Sequence, residues 1–125
     1  MKQEWTSVVC PDHKIDALRQ AMLRDAEKLV SALGSREHGT LAGLAQQLLA
    51  TAREQFEAEE RRLRDAKAPS LVRHAREHQR FLADLGAMIS LASRGDASGV
   101  VALRPERWIP EWLSAHARTD RDLVA

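Results

Sequence analysis

Apolar residues recur at intervals of three and four along most of the chain, the spacing of one buried helical face. Ile15, Leu18, Met22, Ala26, Leu29 and Leu33 trace a first stripe, with Gly34 as the expected C-cap. Leu41, Leu44, Leu48, Ala52, Phe56 and Leu63 trace a second, over about 40–66, which the Ala68-Pro69 step should stop. Ser70 is the candidate N-cap of a third, whose inner face carries Leu71, Phe81, Leu82, Leu85, Met88, Ile89 and Ala92. Its end is expected at Ser93-Arg94-Gly95-Asp96. A looser stretch follows over 97–109, and Pro110 then fits the first turn of a fourth helix, with Trp112, Leu113, His116, Asp120 and Leu123 on or near one face. Residues 1–14 read as a lead-in whose Trp5, Val8 and Val9 can pack along the outside. Four helices with short joints predict an all-α, antiparallel up-down-up-down four-helix bundle.

Composition agrees with this pattern. The chain has no Tyr, few β-branched residues, and an abundance of Ala, Leu, Arg, Glu and Gln, which lose little on entering a helix. With 125 residues it suits one domain with a real core. Nineteen basic and 18 acidic side chains give a net charge of +1, and their interleaving offers no strong field for nucleic acid or an anionic membrane. The tract Arg61, Arg62, Arg64 follows Glu57, Glu59 and Glu60, so it reads as a solvated face with short-range ion pairs. A spanning segment and a cleavable leader are both missing from the sequence, which predicts a soluble cytoplasmic protein. Cys10 is the only cysteine, so an intramolecular disulfide is excluded, and the absence of CxxCH excludes c-type haem attachment.

Polar residues interrupt the apolar stripes, and these interruptions carry the chemistry. Glu59 lies three after Phe56 and four before Leu63; His74 and His78 continue the line from Leu71 to Leu82; His116 and Asp120 lie between Leu113 and Leu123; Arg19 follows Ile15 by four. Each should face inward. At ~1.5 Å per residue, Glu59 stands about 10 Å from the end of its helix, and the two histidines about 6 to 12 Å from the start of the next. His116 and Asp120 belong to the same end of the bundle, as does Arg19. One buried layer holding several ionisable groups is costly unless something pairs them. A bound cation is one solution, since imidazole and carboxylate together suit iron, zinc or manganese, and an i, i+4 histidine pair gives two ligands from one helix. His13 and His38 fall outside this layer and are expected to be solvated.

The same residues resemble the hemerythrin family, specifically its single-domain bacterial members. The resemblance runs through Trp5, IDALRQAML (15–23), QFEAEERRL (55–63), APSLVRHAREHQRFL (68–82) and WLSAHARTD (112–120). It implies a four-helix bundle with a non-haem di-iron centre that reversibly binds O2. By that resemblance His74, His78 and His116 would hold one iron and Glu59 would be a bridging carboxylate. The second bridging carboxylate is expected where Arg121 stands, and Asp120 is the nearest substitute. The other iron's histidines are expected at the places of Arg19 and Gln55. A guanidinium has no lone pair to give and an amide oxygen is a weak ligand, so the second iron is expected to be lost. Arg19 would then stand in as a fixed positive charge whose fork suits Glu59 or Asp120, unless it extends to solvent past the bundle end.

Two functions follow as expectations. The first is a hemerythrin-like protein binding one non-haem iron more readily than two, with zinc or manganese as other candidates and O2 or another small diatomic as ligand. The second is a metal-free bundle acting as an interaction or scaffold protein. Phosphotransfer, suggested by EHGTLAG (37–43), is disfavoured by Gly39 beside His38. Hydrolysis lacks a Ser or Cys nucleophile paired with a base at recognisable spacing.

Overall fold

The computed structural model describes residues 13–35 and 38–119. It is an all-α bundle, with no strand among those residues. Its elements are α1 (His13–Gly34), a single 3-10 turn (His38–Thr40), α2 (Leu41–Asp65), α3 (Leu71–Ser93), α4 (Ala97–Leu103) and α5 (Pro105–Thr119). None of these helices is long and apolar enough to cross a membrane. The stripes read from the sequence are the buried faces: Met22, Ala26 and Leu29 of α1 meet Leu41, Leu48, Ala52 and Phe56 of α2 and Phe81, Leu85 and Met88 of α3 in one core.

Pairings along the helices fix their mutual register. Ile15 and Leu63 share a small apolar cluster, and further along Thr51 Oγ1 donates to Asp25 Oδ2 at 2.6 Å. As α1 advances, its neighbours come from earlier in α2. The same reversal relates α2 to α3, where Glu60 meets His78 and Phe56 meets Phe81. It also relates α3 to α5, where Phe81 packs on Trp108 and Trp112 while His78 meets His116. Glu59 near the end of α2, the histidines near the start of α3 and His116 near the end of α5 are thereby brought to one level.

The ends of the helices follow local chemistry, with some departures from expectation. Helix α2 closes with Lys67 N donating to Arg64 O and Ala68 N to Leu63 O, a Schellman arrangement that puts Lys67 in the left-handed region at φ 53°. Helix α3 ends the same way through Gly95 at φ 71°, where the lack of a Cβ removes the strain. Gly34 is simply the last residue of α1 and has no positive φ. Ser70 precedes α3 but its hydroxyl makes no capping hydrogen bond; its carbonyl instead receives His74 N. The stretch after Asp96 is more ordered than its glycine and proline suggested. Asp96 Oδ1 accepts from Gly99 N at 2.8 Å and starts α4.

Pro105, not Pro110, opens α5. Its ring is already at a helical φ, and its missing N–H falls where no intrahelical bond is required. Pro110 lies inside the helix, buried, at the cost of one backbone hydrogen bond. At the other end of the chain α1 begins at His13, two residues inside the expected lead-in, and His13 is exposed. Trp5, Cys10, Asp120 and Leu123 lie outside the described residues.

Candidate metal centre

Glu59, His74, His78 and His116 are all buried, from four different turns of three helices. Three of them converge. Glu59 Oε1 stands 3.0 Å from His116 Nε2 and 3.7 Å from His78 Nε2, and the two Nε2 atoms are 3.1 Å apart. Donors bound to one ion at ~2.1 Å stand about 3.0 Å apart when the bonds meet at right angles, and about 3.4 Å apart in a tetrahedron. The observed separations bracket that range. The trio is therefore a group that can hold a metal ion.

Two of the converging groups are held from behind by hydrogen bonds. His78 Nδ1 is 2.8 Å from Glu60 Oε2, so the neutral ring donates there and keeps its Nε2 lone pair toward the centre. Gln55 Nε2 donates to Glu59 Oε2 at 2.7 Å, leaving Oε1 for the cluster. Glu77 Oε2 faces His116 Nδ1 at 3.6 Å, an ion-pair distance rather than a hydrogen bond. Phe56 stacks on His78 with ring centroids 4.0 Å apart, and Trp112 stacks on His116 at 4.5 Å. These rings fix the imidazole planes and close the side of the cluster facing the apolar core.

Without an ion the three donors share few hydrogens. Glu59 is acceptor-only when ionised, and His78 has spent its proton on Glu60, so a single N–H of His116 must serve both neighbours. Burial pushes the Glu59 carboxyl up, but the hydrogen bond from His116 and the electrostatic pull of the His116 and His78 rings outweigh it and hold the group well below the usual carboxylate range. A buried carboxylate that stays ionised beside two imidazoles is a ready partner for a cation.

His74 stands beside the trio rather than in it. Its ring lies 5.5 Å from that of His116 and 6.0 Å from that of His78, centroid to centroid, and its Nδ1 is 3.3 Å from Ser70 O. Burial, then the charge of His116, pushes His74 below its ordinary value, partly offset by the Ser70 carbonyl. Arg19 is 4 % exposed, so it does not extend to solvent past the bundle end. Interpolating between the Ile15–Leu63 and Asp25–Thr51 pairings puts it level with the Phe56–Glu59 turn of α2. Asp120, the expected substitute carboxylate, lies outside the described residues.

Sequence reasoning did not single out Glu60 and Glu77. Glu60 was visible as the second half of the Glu59-Glu60 doublet, but it stood in the charged tract read as a solvated face with short-range ion pairs, and only the neighbouring helix reveals that it reaches His78. Glu77 precedes His78 and carries no signal of its own. The chain thus forms a helix bundle around a buried carboxylate and imidazole cluster that could hold a metal ion between its helices. Comparisons with protein-family models, curated proteins and solved structures found no match.

Proposed function

We propose that this chain is a hemerythrin-like metal-binding bundle that holds a single non-haem ion, iron foremost, through Glu59, His78 and His116. The observation that carries this is the spacing of their three donor atoms, 3.0, 3.1 and 3.7 Å, with Glu60 and Gln55 braced behind two of them. His74 is the fourth donor through Nε2, and Asp120 the carboxylate that would complete the set. The order of the helix pairings supports the antiparallel up-down arrangement of that family. Iron(II) held by these residues would supply redox chemistry toward O2 or another small diatomic. The protein's own part is to keep Oε1 and the two Nε2 atoms pre-aimed, to exclude water on the Phe56 and Trp112 side, and to hold the His116 proton on Nδ1, facing Glu77.

Purified protein expressed with iron, zinc and manganese supplied in turn should carry one ion per chain, and His78→Ala or His116→Ala should lose it. Two irons per chain with an oxo-bridge absorption band would rule out the mononuclear site. The second reading, a metal-free scaffold, draws on the same contacts, since Glu60, Gln55 and His116 between them satisfy much of the cluster without an ion. It predicts no stoichiometric metal, and stability indifferent to chelators.

A further inference from the structure

The two oxygens of Glu59 have different surroundings. Oε1 points into the cluster, whereas Oε2 lies 2.7 Å from Gln55 Nε2, one turn earlier on α2. Gln55 and Glu59 are each at most 1 % exposed, so water does not compete for this bond. The Gln55 atom facing the carboxylate has to be the amide nitrogen, because an amide oxygen there would meet acceptor with acceptor. Choosing that orientation leaves Gln55 Oε1 buried without a hydrogen-bond partner. The amide is thus turned to serve Glu59, at the expense of its own acceptor.

A carboxylate that joins two ions gives one oxygen to each. Here Oε2 is already committed to a charge-assisted hydrogen bond, which is stronger than a neutral one and is not replaced by water at this depth. A cation on that side would meet the positive end of the amide dipole. An amide also does not titrate, so no pH converts the N–H into a ligand. Arg19, buried at the same level of the neighbouring helix, offers a second group with no lone pair.

We infer that Gln55 sets the number of ions this centre accepts: by capping Oε2 it makes Glu59 a one-oxygen ligand and limits the cluster to a single metal. This rests on the metal reading of Glu59, His78 and His116 given above. Gln55 acts as a positioning residue, since its effect on the ion passes through Glu59.

The test uses the full chain with Mn(II) alone, counted by equilibrium dialysis and typed by electron paramagnetic resonance. The parent should bind one ion per chain with the spectrum of an isolated Mn(II). Gln55→Glu replaces the capping donor with a lone pair at nearly the same size, and should bind two ions with an exchange-coupled spectrum. Gln55→His should do the same, and decides the matter if the glutamate variant does not fold by circular dichroism. Gln55→Met removes the cap but adds no strong ligand; it should stay at one ion, held about 10- to 100-fold more weakly because Glu59 has lost its brace. A parent that binds two ions, or folded Gln55→Glu and Gln55→His chains that both stay at one, would overturn the role of Gln55 while leaving the site intact. A parent that binds no Mn(II) would overturn the metal reading, and this inference with it.

Discussion

The Nε2 atoms of His78 and His116 face each other at 3.1 Å in a buried cluster, with Glu59 Oε1 3.0 Å from the second of them. Two imidazole nitrogens at that distance need one hydrogen or one cation between them, because two lone pairs or two N–H groups would repel. Removing His116 should therefore remove the demand for an ion along with one of its ligands. If the parent binds metal there, metal at 100 times its Kd should add about 2.7 kcal/mol of stability and raise the melting temperature by about 10 °C. His116→Ala should show no such rise in calorimetry with and without metal; an undiminished rise would place the ion elsewhere.

Glu60 and Glu77 offer a comparison of two outer partners. Glu60 meets His78 Nδ1 at hydrogen-bond distance, 2.8 Å, whereas Glu77 stands 3.6 Å from His116 Nδ1 and is more exposed. A bond that fixes a ligand's ring orientation and proton position is worth roughly 10- to 100-fold in metal affinity. Glu60→Gln should fall in that range in a competition titration against a chelator, and Glu77→Gln should fall well short of it. Equal losses would mean that charge near the site, not ring orientation, is what these residues supply.

Acid should destabilise the metal-free fold in two stages. His74 is pushed below its ordinary 6.5 by burial, so the unfolded chain takes up that proton first. Stability is then full above pH ~6.5 and falls as the pH drops below it. Glu59 is held below its ordinary 4.5, so its contribution is present above that pH and lost as the pH falls further toward its folded value. Urea midpoints measured in chelator at pH 7.5, 5.5 and 4 should decrease in that order. His74→Gln should shrink the first step and spare the second; an unchanged first step would assign it to another group.

Trp112 lies nearly parallel to His116, with an interplanar angle of 15°. An indole in contact with a site imidazole loses emission when that ring gains a proton or binds a paramagnetic ion. Adding Mn(II) or Fe(II) should quench the protein's fluorescence, and Trp112→Phe should abolish most of the response. Trp108 contacts Phe81 rather than His116, so Trp108→Phe should keep it. The reverse pattern would contradict the stacking geometry as the cause.

The helices, their buried stripes and the inward aim of Glu59, His74, His78 and His116 were legible in the residue order, because a period near 3.6 residues fixes which face a side chain occupies and at what height. The sequence pattern misjudged the start of α5, since Pro105 and Pro110 both satisfy the rule for a first turn and only the packing of Val100 and Ile109 into the core selects the earlier one. Face and height do not determine side-chain torsions or the distance between helices. Tertiary structure alone decided that Glu59, His78 and His116 meet while His74 turns its Nδ1 to Ser70. It also decided that Gln55 donates to Glu59 and that Glu60 crosses to His78. Those outcomes depend on which donors and acceptors lie within about 3 Å across a helix interface, a relation that no single helix carries in its own sequence.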